Sequence, residues 1–437
     1  MLTAFLLVAV GLVGIGLGSG RAGAASKLGQ GVTDSAIKLG LVQVDYSCIK
    51  DFVDFNRGNQ QETYKVFVDD LNQNGGILGR KVEPVYRDFC PIGNAQALST
   101  CTSFTEDDKV FAVAGVFIDQ SGDAQLCIAK NHETVEIIHN VSQSWIDQAP
   151  KGLLLTPSIT TDRRLFVILD LLARDKTLKG KKVAVLTQPD SKARAEALVT
   201  PALKEMKVKQ GTTAVLNITG TDTSAAQSQL ESFIEKWKGE GVDTFMLVGQ
   251  VVVSKTYVTM LKDAFPNATL ISDQTPTAQS GGQDAVTAGV DPNPYEGLMS
   301  VEGEGSQQRF ETPVMQRCVK TYEKATGKKV VAPKNVKPGT DGKRTEIWAS
   351  IEDACGDILF FKTIAERAGK TLNNRTWTKA VNTMGPIDNT LVLGKWASLH
   401  TGKYDANDTF GLVAFDSSAG TTGDWKALTP VADVAGR

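Results

Sequence analysis

The feature that limits the fold most is a rhythm in which short β-branched runs alternate with stretches that are apolar on one helical face. IKLGLVQV (37–44) reads as a strand, after which Tyr64, Phe67, Val68 and Leu71 recur at i, i+3, i+4 and i+7, the spacing of one helix face. KVEPVYRD (81–88), VFAVAGVF (110–117) and VEIIHNV (135–141) read as further strands, with helical patterns near 95–104 and 123–130 between them. Strands separated by helices predict βαβ units, and hence a parallel sheet covered on both faces.

The rhythm then restarts. LLLTPSITTDRRLFVILDLLARD carries a strand, a turn and a helix with Leu165, Ile168, Leu171 and Leu172 on one side. KKVAVLTQ (181–188), TTAVLNITG (212–220), VDTFMLVG (242–249) and ATLISD (268–273) follow, separated by helical patterns. Two α/β lobes in tandem are expected, because a single sheet of that strand number rarely holds together. After Tyr295 the chain predicts a returning strand and long helices over 307–326 and 346–368. A Lys-, Pro- and Gly-rich surface loop parts them. A short helix near 377–384 and strands near 391–396 and 409–415 complete the pattern.

Glycine-rich LNQNGGILGRK (71–81) runs from helix to strand. A phosphate-cradling loop needs the opposite order, strand and then helix N-terminus. Gly75 or Gly76 therefore predicts a left-handed helix end, at the end of the sheet away from any ligand.

Net charge is −2, from 47 basic and 49 acidic side chains among 437 residues. Without a basic excess, nucleic acid is not an expected partner. Residues 1–24 read as a secretory signal, an uncharged apolar run with small residues at Ala22 and Ala24. No Lys or Arg precedes that run, and an uncleaved anchor is the alternative. Cys48, Cys90, Cys101, Cys127, Cys318 and Cys355 form an even set with no C-x-x-C spacing. That favours disulfides in an oxidising compartment over a metal cluster, with 15 complete pairings open. The histidines His132, His139 and His400 make no H-x-x-x-H pair, and neither a G-x-S-x-G elbow nor a P-loop occurs. No enzyme chemistry, metal or cofactor is expected.

Ligands of open parallel sheets bind beyond the carboxyl ends of the strands. Those positions are Asp45, Tyr46 and Ser47, then Asp119, Gln120, Ser121 and Gly122, then Ser142, Gln143 and Trp145. The second set is Gln188, Asp190 and Ser191, then Gln250, then Asp273 and Gln274. Such groups fix a small ligand by hydrogen bonds in a cleft, and each taken singly also suits a helix cap or turn. His139 stands at a strand end, where a polar cap is expected over a base.

GVTDSAIKLGLV, followed by VFVDDLNQNGGILGRKVEPVYRD with its terminal Asp88, resembles the start of a type I periplasmic solute-binding protein of the branched-chain amino acid class. The resemblance extends over about 31–415. It implies an α/β fold of two Rossmann-like lobes joined by a three-stranded hinge. The first lobe would be 31–157 plus 298–398 and the second 158–297 plus 399–437, with hinge strands near 154–158, 297–301 and 399–412. It implies an exported, monomeric receptor holding a small polar solute (an amino acid or a related small acid or amide) between the lobes for the permease of an ABC importer. A ligand sensor of the same fold is the alternative, and an exported hydrolase a weaker one.

Departures from the family pattern bear on the ligand. Gln143 and Trp145 replace small residues, and the second-lobe acid for an ammonium would be Asp273 or be replaced by Gln274. Lys192 and Arg194 stand near where an aromatic is usual; two basic groups there would suit an anionic solute, but solvated helix charges are the expected reading of both. On this scheme Cys48 with Cys90, Cys101 with Cys127, and Cys318 with Cys355 are the plausible pairs.

Overall fold

The computed structural model describes residues 28–50, 53–91, 95–117, 121–217, 224–387 and 395–436. The expected secretory segment, Asp119, Gln120 and most of the strand expected over 391–396 lie outside them.

The first sheet is built from β1 (Ala36–Val44), β2 (Lys81–Phe89), β3 (Ala112–Gly115), β4 (Val135–Ile138) and β5 (Leu154–Leu155), in the order β2-β1-β3-β4-β5 and parallel throughout. Helix α1 (Gln60–Gln73) connects β1 to β2 and buries Tyr64, Phe67, Val68 and Leu71, the face that its periodicity marks. Asn59 caps its start by accepting from the Glu62 N–H, and Asn74 ends it. Gly75 and Gly76 then take φ of 96° and 65°. A Cβ on Gly76 would fall 1.9 Å from the Arg80 carbonyl oxygen, so only glycine fits that turn. It lies at the amino end of β2, as its helix-to-strand order requires.

Helix α2 (Thr161–Asp175) opens the second unit. It is followed by β6 (Lys182–Thr187), α3 (Pro189–Glu205), β7 (Lys209–Val215), β8 (Thr244–Val248), β9 (Thr269–Ser272), α4 (Thr275–Thr287) and β10 (Met299–Glu302). Late in the chain β11 (Thr409–Asp416) and β12 (Asp424–Ala427) extend this sheet antiparallel, giving the order β12-β11-β10-β9-β8-β6-β7. Val183 and Val185 enter one buried cluster while Ala184 and Leu186 enter another, and Met246 and Val248 divide from Phe245 and Leu247 in the same way. The period of two thus delivers apolar side chains to both faces of a covered sheet.

Between β10 and β11 the chain returns to the first sheet with α5 (Pro313–Thr326), α6 (Ile347–Ala368) and α7 (Asn374–Asn382). Their buried residues, from Phe310 to Ala406, share one cluster with Val32 to Leu155. The helix expected over 307–326 is broken at Thr312. Pro313 has no N–H to continue the preceding turn, and Thr312 instead caps α5 by accepting from the Met315 N–H at 3.3 Å. Helix α7 begins earlier than expected because Asn373 caps it.

The three disulfides are those placed on the family scheme. Cys48–Cys90, Cys101–Cys127 and Cys318–Cys355 have Cα separations of 5.9, 6.2 and 6.2 Å. The first ties the loops after β1 and β2, and the last staples α5 to α6. Among the described residues no helix is long and apolar enough to cross a membrane.

Candidate functional site

Where the chain changes sheets fixes where the strand ends point. It leaves the first sheet from the carboxyl end of β5 and the second from the carboxyl end of β10. Both sheets therefore turn their carboxyl ends toward one junction. Residues 156–158 run there beside 404–407: Thr156 N donates to Tyr404 O, Ala406 N to Thr156 O and Asn407 N to Ser158 O, at 2.9–3.0 Å.

On the first-sheet side, the wall is charged and rests on α6. Asp353 and Asp357 are one turn apart on that helix, and Asp357 is wholly buried. Tyr64 Oη donates to Asp357 Oδ2 at 2.7 Å, and His139 Nε2 lies 2.8 Å from Oδ1. Burial alone would lower the His139 pKa, but the Asp357 carboxylate, with Asp353 and Glu352 adding, lifts it to about 9. His139 is thus an imidazolium at neutral pH. Burial also raises the Asp353 carboxyl, opposed by Arg57 and His139 and reinforced by Asp357 and Glu352. Arg57 stands 3.9 Å from both Asp353 and Glu346. Arg309 donates through Nε to Glu352 at 2.8 Å and through Nη1 to the Glu304 carbonyl at 2.7 Å. Tyr46 packs over Phe55, ring centroids 5.5 Å apart, and burial pushes its hydroxyl up.

On the second-sheet side, Asp273 follows β9 directly. Its Oδ1 accepts from the Gly249 N–H at 3.0 Å, and Arg194 Nη2 lies 2.8 Å from Oδ2. Gln188 is fixed between Val251, whose N–H it accepts at 2.8 Å, and Asp190, to which it donates at 3.0 Å. Ser191 donates to the other Asp190 oxygen at 2.9 Å. Gln274 is buried with its N–H on Ser272 Oγ, and Gln250 is half-buried. Arg164, in the first turns of α2, and Glu302, at the end of β10, complete this side.

The remaining sequence candidates make local contacts, apart from the Gln143 N–H, which reaches Asp162 on α2. Asp45 accepts from the Ser47 N–H and hydroxyl at 2.9 and 2.6 Å. The Ser121 hydroxyl accepts from the Asp123 N–H at 3.2 Å. Ser142 Oγ meets Ser144 Oγ at 2.9 Å. Gln143 gives its N–H to Asp162 and its amide to Asp147. Lys192 is exposed and paired with Glu196 on its own helix, whereas Arg194 turns inward to Asp273. Reading only strand ends missed Arg57, Arg164, Arg309, Glu346, Glu352, Asp353 and Asp357. For α6 a signal was present: IWASIEDACGDILFF interrupts an otherwise apolar helix with three carboxylates, which is costly unless they have partners.

Solved structures with this architecture include an ABC transporter solute-binding protein from Rhodopseudomonas palustris HaA2 in complex with p-hydroxybenzoic acid, with a TM-score of 0.64, 16% identity, and coverage of 92% of this chain and 98% of that one. A fatty acid ABC transporter substrate-binding protein from Thermomonospora curvata gives 0.63 and 16%, covering 94% and 95%. A leucine-binding protein from Thermotoga maritima MSB8 gives 0.63 and 13%, covering 91% and 99%. At these identities the likeness is one of fold. No curated protein matches the chain in sequence. The family model of periplasmic binding proteins, however, matches residues 58–410, most of the chain, and this protein belongs to that family.

Proposed function

We propose that the protein is an exported receptor that holds a small polar solute between its two lobes and hands it to the permease of an ABC importer. The observation that supports this reading best is the meeting of two sets of strand carboxyl ends at one junction, each furnished with charged side chains held by buried contacts. The lobes follow the family scheme with both late boundaries moved. Since β10 (Met299–Glu302) belongs to the second sheet, and Leu399, Tyr404 and Ala406 pack in the first core, the first lobe would be 31–157 plus 303–406 and the second 158–302 plus 407–437. The hinge consists of the crossing segments after β5, after β10 and before β11. Tyr46, Gln250, Asp119, Gln120 and Ser121 are proposed to touch the solute. Asp45, Ser142, Gln143, Gln188, Asp190, Asp273 and Gln274 shape the loops around it.

The solute class is an amino acid or a related small acid or amide. The similar structures carry, by their descriptions, p-hydroxybenzoic acid, a fatty acid role and a leucine role, all small acids. The protein acts without catalysis: His139, held as an imidazolium by Asp357, is a poor general base at neutral pH.

Thermal-shift screening against amino acids, short-chain acids, aromatic acids and amides tests the reading, paired with small-angle scattering. A rise in Tm with one class, accompanied by compaction and without turnover, is expected. Hydrolysis of a chromogenic ester that His139→Ala abolishes would overturn it.

A further inference from the structure

Buried cations at the junction have close carboxylate partners. Arg194 meets Asp273 at 2.8 Å, Arg309 meets Glu352 at 2.8 Å, and His139 meets Asp357 at 2.8 Å. Arg163 meets Asp405 at 3.1 Å, and Arg344 meets Asp284 at 2.7 Å. Arg164 breaks this pattern. It is 9% exposed, yet among the described residues no carboxylate comes within the 4.0 Å of an ion pair. The side-chain hydrogen bond it makes there is a 3.5 Å contact from Nη2 to Ser158 Oγ. Its nearest acids are otherwise engaged: Asp273 by Arg194 and the Gly249 N–H, and Glu302 by the Gly303 N–H at 2.9 Å.

A chain of contacts places this guanidinium beside the cleft. Arg164 touches Ser158, Ser158 N donates to Thr156 Oγ1 at 3.1 Å, and Thr156 Oγ1 reaches the His139 carbonyl at 3.5 Å. The guanidinium thus stands at the crossing segment, between the end of β10 and the strand end that carries His139. A buried cation without a partner is expensive to fold around, and a planar guanidinium matches a carboxylate through two parallel N–H···O bonds.

We propose that Arg164 binds the carboxylate of the solute, completing its ion pair only when the cleft is occupied. This rests on the receptor reading and narrows the solute to carboxylic acids. The acid closes a guanidinium that has no carboxylate in ion-pair reach among the described residues, so affinity depends on the acid group being ionised. The rest of the solute extends toward Tyr46 and the first-sheet wall.

The test is titration calorimetry with three acid–amide pairs, p-hydroxybenzoate with p-hydroxybenzamide, L-leucine with L-leucinamide, and octanoate with octanamide. The wild-type protein should bind an acid about 10- to 100-fold more tightly than its amide. Arg164→Met should remove that preference by weakening the acid and sparing the amide, and Arg164→Lys should keep part of it. The unliganded Tm of Arg164→Met should equal or exceed that of the wild type, since an unpaired buried charge has gone. Equal binding of acid and amide by the wild type overturns the assignment, as does acid binding unchanged in Arg164→Met. A lower unliganded Tm that lysine restores would make Arg164 structural and overturn it too. If amides bind and no acid does, the assignment fails while the receptor reading stands. If no probe binds, both fail.

Discussion

Arg344 Nη1 lies 2.7 Å from Asp284 Oδ1, and the two residues belong to opposite sides of the junction. Arg344 sits in a short strand pairing with Phe55, next to the loop after β1, while Asp284 lies on α4 beside the second sheet. Arg344 is 1% exposed, with its Nε 3.2 Å from Glu346 and its guanidinium over the Phe55 ring. A receptor that opens to admit its solute must break this contact. Asp284→Asn is expected to expand the unliganded protein in small-angle scattering and to weaken solute binding, since the competent state is less populated. Superimposable scattering curves would count against the latch. Arg344→Met strands the Asp284 carboxylate and leaves Glu346 with Arg57 at 3.9 Å, and should cost about 3–5 kcal/mol in urea unfolding.

His139 makes stability depend on pH in a definite direction. Its folded pKa, about 9, exceeds its ordinary 6.5, so its contribution is fully present below about pH 6.5 and is lost as pH rises through 9. The loss between those limits is at most about 3.5 kcal/mol, from a rise of about 2.5 units at about 1.4 kcal/mol per unit. Urea unfolding at pH 6.5 and 9.5 should show it for the wild type and should flatten for His139→Gln. An equal decline in both proteins would assign the effect elsewhere.

Much of the fold was legible because local pattern and tertiary packing agree. The faces of α1 and α2, the doubly covered strands and the left-handed turn at Gly75 and Gly76 all follow from residue spacing. Helix α4 was not legible: TPTAQSGGQDAVT carries two adjacent glycines and a weak apolar pattern. The reason is packing, since a Cβ on Gly281 would come 2.4 Å from the Tyr295 hydroxyl and one on Gly282 2.5 Å from the Phe415 ring. Long-range contact chose those residues against helix propensity. The site divides likewise. Strand ends could be listed from topology, but the partners of Asp273 and His139 lie 79 and 218 positions away in the chain, beyond any local spacing.

The crossing segments are pinned by a compact charge cluster. Arg163, on the first turn of α2, donates to Asp405 at 3.1 Å and to Asp408 at 2.5 Å, and Lys403 Nζ lies 3.1 Å from Asp408. Thr160 N also donates to Asp405 at 3.0 Å. All four charged side chains are nearly buried, so Arg163→Leu should cost about 3–5 kcal/mol. Lys65→Ala, which removes an exposed pair one helical turn apart, should cost less than about 0.5 kcal/mol. Chemical denaturation of the two variants checks the contrast, and comparable losses would refute the pinning role.

Asp273 gives the last separation of roles. An acid that anchored a solute ammonium could be removed with little harm to the fold, and only cationic or zwitterionic solutes would lose affinity. With Arg194 2.8 Å from one oxygen and the Gly249 N–H on the other, its removal leaves a buried guanidinium without its carboxylate and a backbone donor without its acceptor. Asp273→Ala should therefore lower stability by about 3 kcal/mol or more. Asp273→Ala with Arg194→Ala should recover part of that loss, a coupling that a double-mutant cycle in urea reads directly. Additive losses would show that the pair is not coupled. Full stability in Asp273→Ala, with ammonium-bearing solutes alone failing to bind, would return Asp273 to direct solute contact.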